Sequence, residues 1–185
     1  MNLKAFKIMF AAAALAVASA ASHAAPIVTL SSPLALQTSN GHYLTAVNGG
    51  GLGGPNSGPY AVALHSDAKA KGAWETLYLV QLANGRVAFR TTTGYYLTAI
   101  NGGGMGGPNS SASPFHTDAT WASAWERFQL EFDPASNTYA LKTANGNYVT
   151  FVNNGGIGGA NNVPVHSDAR AANDWESFTL VPLNN

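Results

Sequence analysis

The stretch NGGGLGGPN, residues Asn48 to Asn56, contains five glycines in nine positions. Such a run is costly to order, because glycine loses more conformational freedom on folding than any other residue. The stretch nevertheless returns as NGGGMGGPN at 101–109 and as NNGGIGGAN at 153–161. A loop that is kept three times in one chain indicates an internal repeat.

The repeat extends well beyond the glycines. Gly41, Gly94 and Gly146 correspond at spacings of 53 and 52 residues, and three tryptophans follow the same period further along. A period near fifty residues is typical of repeat architectures. We therefore expect one domain over 34–183, with repeats at about 34–82, 87–132 and 139–183.

Each repeat predicts four short strands, with apolar residues that alternate as on a sheet with one buried face. The alternating pairs are Leu77 and Leu79, Phe128 and Leu130, and Phe178 and Leu180, and the other core candidates are Leu36, Phe89, Leu141, Leu64, Phe115 and Val165. A propeller typically needs at least about four blades to close, so three four-stranded units favour a closed barrel with a triangular cap. We predict an all-β protein, a β-trefoil.

Two families resemble these repeats. The run G-x-Y-L-T-A, followed some thirty residues later by W-E-x-F-x-L, resembles the fascin-type β-trefoil repeat. That resemblance implies actin bundling, or a place in secreted bacterial proteins beside polysaccharide-degrading domains. The runs ALHSDA and PVHSDA, after a Gly-Gly loop, are similar to mussel-type β-trefoil lectins. The mussel type has a histidine-proline step before its Gly-Gly, where this chain has TAVN, TAIN or TFVN, so its sugar preference does not carry over.

The N-terminus has the three-part pattern of a secretory signal peptide. Two lysines precede an apolar run from Ile8 to Ala21, and SHA at 22–24 places small residues at a cleavage site. We expect cleavage after Ala24, with Ala20 as the alternative, and a short lead-in over 25–33. The protein is then secreted, to the periplasm or outside the cell.

Removal of 24 residues would leave 161 of the 185, and the loss of Lys4 and Lys7 would leave seven basic against nine acidic residues, a net charge of −2. This charge argues against nucleic acid and anionic membranes as partners, since both require a basic surface. The chain contains no cysteine, so core burial alone must hold the fold. A surface rich in hydroxyls and amides suits uncharged polar ligands. We expect a monomer that binds neutral glycans, without a cofactor and without membrane insertion.

The glycine loop lies between the second and third strands of each repeat, at the tip of a hairpin. A phosphate-binding loop is excluded because no Gly-Lys-Ser/Thr follows, and a calcium-binding β-helix repeat is excluded because the loop has no aspartate. Two interpretations stay open for the asparagines: local turn stabilisation, or a preorganised wall of a ligand site. The candidate ligand-binding residues of the loop are Asn48, Gly51, Asn101, Gly104, Asn153 and Gly156.

A second triplicated motif has the form His-x-Asp. Its candidate ligand-binding residues are His65, Asp67, His116, Asp118, His166 and Asp168. Adjacent strand residues face opposite sides, so the intervening hydroxyl cannot join the pair in a catalytic triad. Two ligands per copy are too few for a closed metal site. The imidazole and carboxylate can bind sugar hydroxyls, or the aspartate can instead cap the next turn, and both interpretations stay open.

The tryptophans are predicted to be structural. Trp74, Trp125 and Trp175 are each followed by a glutamate, and we expect them in the core or at the barrel base. The glutamates, Glu75, Glu126 and Glu176, are expected to accept loop N–H groups. Trp121 occurs in one copy only and is a candidate for stacking on a sugar or for packing.

The sequence as a whole predicts a secreted, non-catalytic carbohydrate-binding β-trefoil with up to three pseudo-equivalent sites. The alternatives are a fascin-type protein-interaction module and a hydrolase inhibitor. An inhibitor would need one distinctive loop, whereas three similar copies favour repeated small sites.

Overall fold

The computed structural model describes residues 32–53, 62–82, 85–106, 113–158 and 163–183. The predicted signal peptide, nearly all of the lead-in, and the second loop asparagines Asn56, Asn109 and Asn161 lie outside the described residues. Within these five ranges, no helix is long and apolar enough to cross a membrane.

The described ranges form twelve strands, four from each repeat, as predicted. The strands are β1 Pro33–Thr38, β2 Tyr43–Ala46, β3 Leu64–Ala68, β4 Leu77–Gln81, β5 Val87–Thr91, β6 Tyr96–Ala99, β7 Phe115–Ala119, β8 Gln129–Asp133, β9 Thr138–Lys142, β10 Tyr148–Phe151, β11 Val165–Ala169 and β12 Phe178–Pro182. Single 3₁₀ turns lie at Val47–Gly49, Ile100–Gly102, Val152–Asn154 and Asp174–Glu176.

Six of the strands close into a barrel. Antiparallel pairing runs from β1 to β4, β4 to β5, β8 to β9, β9 to β12 and β12 back to β1. The ring is completed between β5 and β8 by the bridge of Val87 with Phe128. Closure leaves these strands without the unpaired edges that invite association with another chain.

The other six strands form three hairpins, β2–β3, β6–β7 and β10–β11, one from each repeat. The pairing is the same in all three, with Thr45 opposite His65, Thr98 opposite His116 and Thr150 opposite His166. Their third strands, β3, β7 and β11, approach one another. A six-stranded barrel with three such hairpins is a β-trefoil, which confirms the predicted fold class.

The core is built from the predicted alternating positions. Leu36, Phe89 and Leu141 are buried, and so are the three residues that precede the histidines. The rings of Phe89 and Phe128 meet edge to face, with centroids 6.4 Å apart. In two repeats the second residue of the predicted pair, Leu130 or Leu180, is only partly buried, although it packs against the core.

Each repeat also buries a glutamate. Glu75 accepts a hydrogen bond from the Thr45 hydroxyl at 2.7 Å and another from the Gly72 N–H at 2.8 Å. The matching carboxylates, those of Glu126 and Glu176, accept the same two kinds of bond. The predicted role of these glutamates as acceptors of loop N–H groups is confirmed.

Candidate functional site

The described parts of the three glycine loops, here called the glycine arms, are residues 48–53, 101–106 and 153–158. Each arm leaves its own repeat and pairs with the third strand of another. The Gly51 N–H donates to the Thr117 carbonyl at 2.7 Å, and the Thr117 N–H donates back to Leu52 at 2.8 Å. The same two bonds join the second arm to Ser167 and the third arm to Ser66. The arms therefore link repeat one to two, two to three, and three to one.

The neighbouring repeat also holds each arm from a second side. Gly50 packs on Thr91, at the end of the first strand of repeat two. The Thr93 hydroxyl of the following turn donates to the Gly49 carbonyl. In the other two junctions an asparagine side chain donates the corresponding hydrogen bond to the arm. Asn145 donates to the Gly103 carbonyl at 2.8 Å, and Asn40 donates to the Gly155 carbonyl at 3.0 Å.

These contacts explain the glycines. Gly50 has φ +105°, and a Cβ at this position would lie 2.7 Å from the Thr91 hydroxyl oxygen. A side chain there would meet both backbone strain and a buried neighbour. The arms are rich in glycine because two parts of the next repeat pass close to their backbone.

The first asparagine of each arm has a backbone role. Asn48, Asn101 and Asn153 have φ of 56–57°, a left-handed conformation that asparagine tolerates better than most residues. Their side chains are exposed. The turn-stabilising interpretation therefore accounts for the residue type, and the exposed amides stay accessible to a ligand.

The His-x-Asp pairs have one geometry in all three copies. Nδ1 of the histidine lies 3.9 Å from Oδ1 of the aspartate, and about half of each carboxylate side chain is exposed. The histidines are largely covered, and burial lowers the pKa of His65 and His116 while the neighbouring aspartate partly offsets this shift. Both histidines are therefore predominantly neutral at pH 7. Within the described part of the chain, Nε2 of His65 is buried without a hydrogen-bond partner.

The sequence suggested that each pair lies beside the glycine arm of its own repeat. In the structure, each pair lies beside the arm of another repeat. A Cβ added to Gly53 would overlap the Asp118 carboxylate, and the same holds for Gly106 with Asp168 and for Gly158 with Asp67. Each candidate site is therefore composite: the arm at Gly51 lies with His116 and Asp118, the arm at Gly104 with His166 and Asp168, and the arm at Gly156 with His65 and Asp67. Asn48, Asn101 and Asn153 stand five residues before the glycines that face the aspartates.

The capping interpretation does not fit the aspartate of the third repeat. Asp168 lies inside strand β11, and the next turn begins after Asn173, whose N–H is bound by Glu176. The aspartate instead faces the arm of the neighbouring repeat, and about half of its side chain stays exposed.

A further side chain borders each site, and sequence reasoning missed it. A Cβ at Gly51 would lie 3.2 Å from Tyr95, one at Gly104 would lie 3.4 Å from Asn147, and one at Gly156 would lie 3.5 Å from His42. All three neighbours directly follow the aligned glycines of the first turn. They differ in residue type, so no repeated motif marked them.

The prediction that the repeated tryptophans lie in the core is wrong. Trp74, Trp125 and Trp175 are each 43% exposed, whereas the glutamates that follow them are buried. The buried position belongs to the glutamate because its carboxylate receives two hydrogen bonds there, so the preceding indole is directed outwards. Trp121 is 72% exposed.

The site shows neither a nucleophile nor a metal centre in the part of the chain that the structure describes. The hydroxyl between each histidine and aspartate is fully buried, at Ser66, Thr117 and Ser167. Among the described residues, no three histidine, aspartate or glutamate side chains are grouped so that they could hold a metal ion.

Comparisons with solved structures show the same fold. A designed 3-fold symmetric protein, ThreeFoil, matches with a TM-score of 0.63 and 18% identity over 82% of this chain and 99% of that chain. A mosquitocidal holotoxin matches with a TM-score of 0.62 and 8% identity over 85% of this chain, which spans only 18% of the toxin's length. No family model and no curated protein matches the sequence. At these identities the likeness concerns the fold alone.

Proposed function

We propose that the protein is a secreted, non-catalytic carbohydrate-binding β-trefoil with three composite sites, one at each junction between repeats. One observation carries this proposal. A half-exposed aspartate is packed against an exposed glycine arm in the same way three times. A carboxylate can accept two hydroxyl hydrogens, and a neutral imidazole and exposed backbone groups add further donors and acceptors.

The same geometry supports the absence of catalysis. The Ser66 hydroxyl is buried and directed towards the Ile157 carbonyl at 3.2 Å, and the Ser167 hydroxyl is directed towards Met105 in the same way. These hydroxyls hold the arms in place, so they are not available as nucleophiles. The proposed ligand is a neutral glycan, bound by a monomer without a cofactor.

Affinity electrophoresis tests the proposal. Residues 25–185 are run through gels that contain dextran, galactomannan, a soluble β-1,3-glucan or hydroxyethylcellulose. We expect retardation by at least one polymer, and we expect it to be lost in the Asp67→Asn, Asp118→Asn, Asp168→Asn triple variant. Asp133→Asn, at the exposed end of β8 and outside the three sites, is the control. Retardation that survives in the triple variant would contradict the site.

The fascin-type resemblance favours a second candidate, a protein-interaction module that binds filaments or surface proteins. Co-sedimentation with filamentous actin distinguishes it, because a glycan-binding protein stays in the supernatant. A hydrolase inhibitor is less favoured, since the described parts of the three arms share one geometry and none is distinctive. Export is part of the proposal, and the intact mass of the secreted protein should correspond to a start at Ala25.

A further inference from the structure

We propose that Trp74, Trp125 and Trp175 are three stacking platforms for pyranose rings of an uncharged polysaccharide, each at the end of a glycine arm opposite the aspartate. This inference rests on the proposed function, because it takes the ligand to be a carbohydrate. It adds a second point of contact to each composite site.

Exposure is the first observation behind the proposal. Tryptophans that only support the fold are expected to be mostly buried, but these three each leave 43% of their surface exposed, and they do so at equivalent positions. An aromatic ring offers a flat apolar face, and the C–H face of a pyranose is its natural complement. Exposure that recurs at three equivalent positions agrees with a binding role.

In two repeats the glycine arm borders one edge of the indole. A Cβ at Gly49 would lie 3.7 Å from Cδ1 of Trp74, and a Cβ at Gly102 would lie 3.7 Å from Cδ1 of Trp125. Any larger side chain at these positions would extend beside the ring. Gly49 and Gly102 are themselves buried, so the arm backbone packs against this edge of the indole and leaves the exposed part of the ring directed towards solvent.

The third repeat differs from the other two at this position. Asn154 occupies the position of Gly49 and Gly102, so its side chain starts beside Trp175. Its Oδ1 is buried and has no hydrogen-bond partner in the described structure. Buried acceptors are normally paired, and this oxygen is shielded from solvent, so it can accept a sugar hydroxyl hydrogen only after the Asn154 side chain turns outwards.

Trp175 also borders a hollow of about 430 Å³, which is lined by Asn173, Asp174 and Glu176. Among the residues that the structure describes, this lining contains amide and carboxylate groups and no cation, so it favours an uncharged hydroxyl donor and repels anionic sugars. The charge of the hollow therefore agrees with a neutral polysaccharide as the ligand.

The platform and the aspartate are within reach of one ligand. Gly49 faces Trp74 and Gly53 faces Asp118, and four residues of extended chain span at most about 14 Å. An oligosaccharide that follows the arm can therefore stack on the indole and donate to the carboxylate.

Intrinsic fluorescence tests the platforms directly. The chain has four tryptophans, so in Trp121→Phe all the tryptophan emission comes from the three platforms. The four polymers named above are titrated into this variant, and gel retardation is measured in parallel. We expect the polymer that retards the protein to shift the emission to shorter wavelength and to reduce quenching by acrylamide. Retardation without any fluorescence change would overturn the platforms and leave the proposed function standing. No retardation by any of the four polymers would overturn both.

Substitutions at Trp175 distinguish the effect of a flat aromatic ring from the effect of side-chain volume. Trp175→Phe keeps a flat ring, whereas Trp175→Leu fills part of the space without one. We expect the leucine variant to bind the retarding polymer about tenfold more weakly, equivalent to about 1.4 kcal/mol, and the phenylalanine variant to bind it more tightly than the leucine variant. Trp121→Leu is the control, and melting temperatures report the fold. Equal affinity of the leucine variant and the wild type would overturn the proposal, and the same substitutions at Trp125 decide it if the Trp175 variants do not fold.

Discussion

At the scale of single residues, the third residue of each arm, a glycine in all three copies, is constrained twice, and this leads to a first prediction. Gly103 has φ +102°, and a Cβ there would overlap the Thr143 hydroxyl. Gly103→Ala should therefore combine left-handed strain of roughly 1–2 kcal/mol with overpacking of about 1–3 kcal/mol. Urea unfolding measures the loss of stability.

Gly146→Ala is the matched control, because Gly146 has φ +89° but an added Cβ would meet nothing within 4 Å. This variant should show the strain alone, roughly 1–2 kcal/mol. Equal losses in the two variants would mean that the contact with the next repeat does not constrain the arm.

The buried histidines predict a dependence of stability on pH. Burial lowers the pKa of His65 and His116 below the ordinary value of 6.5, so near and below that pH the unfolded chain binds more protons than the fold. The contribution of these two histidines to the free energy of unfolding should be fully present above pH 6.5 and should decrease as the pH falls below this value. It should level off once both folded histidines are protonated.

Urea unfolding at pH 7.5 and at pH 5 measures this difference in the wild type and in the His65→Gln, His116→Gln variant. The variant should lose less stability than the wild type between the two pH values. If both chains lose the same amount, groups other than these histidines cause the dependence.

The sequence predicted core residues better than exposed ones. Leu77 and Leu79 alternate with a period of two, and both are buried, with the partly exposed Tyr78 between them. The same reasoning could not predict that Trp74 is exposed and that Glu75, next to it, is buried. It depends on the Thr45 hydroxyl and the Gly72 N–H, which reach Glu75 only in the folded chain.

At the scale of elements, each arm and the third strand beside it form one unit, and the buried hydroxyl at its centre can be tested. Thr117 is fully buried, and its hydroxyl oxygen accepts the Leu52 N–H at 3.2 Å. Thr117→Val keeps the shape but leaves this N–H without an acceptor, which should cost about 1–3 kcal/mol.

Thr117→Ser is the control for this element, because Ser66 and Ser167 hold the same position in the other repeats. The serine variant keeps the hydroxyl and loses one methyl group, so it should cost about 0.8 kcal/mol. Guanidinium unfolding compares the two variants. A valine variant as stable as the serine variant would show that the hydroxyl adds nothing to the junction.

The strands were predictable from the sequence, but the partners of the arms were not. The four-strand repeat is visible in the spacing of Gly41, Gly94 and Gly146. The bonds between each arm and the next repeat are mostly between backbone groups, which leave no residue-specific pattern. The glycines predict that another part of the chain lies close to the backbone of the arm, but they do not identify the repeat to which that part belongs. The candidate sites were therefore assigned to single repeats instead of to junctions.

At the scale of the whole molecule, the three arms close a ring of contacts, so the sites are fixed relative to one another around the cap. The sites share an arm and an aspartate, but His42, Tyr95 and Asn147 give them different borders. We expect three sites with related chemistry and unequal affinity for one ligand.

Valency gives the last prediction. A shallow site buries little of a small sugar, so each junction alone should bind weakly. Three sites on a rigid body gain strength on a surface that displays many copies of the ligand, by 10²–10⁴-fold in general. The protein should therefore bind a polysaccharide-coated bead far more tightly than a free oligosaccharide of the same polymer, and should cross-link such beads.

Calorimetry with the oligosaccharide should give a stoichiometry near three. Asp67→Asn, Asp118→Asn and Asp168→Asn should each lower it by about one and weaken the bead binding in steps. A stoichiometry near one, with two of the three variants unchanged, would mean that a single junction binds and that the other two arms only close the ring.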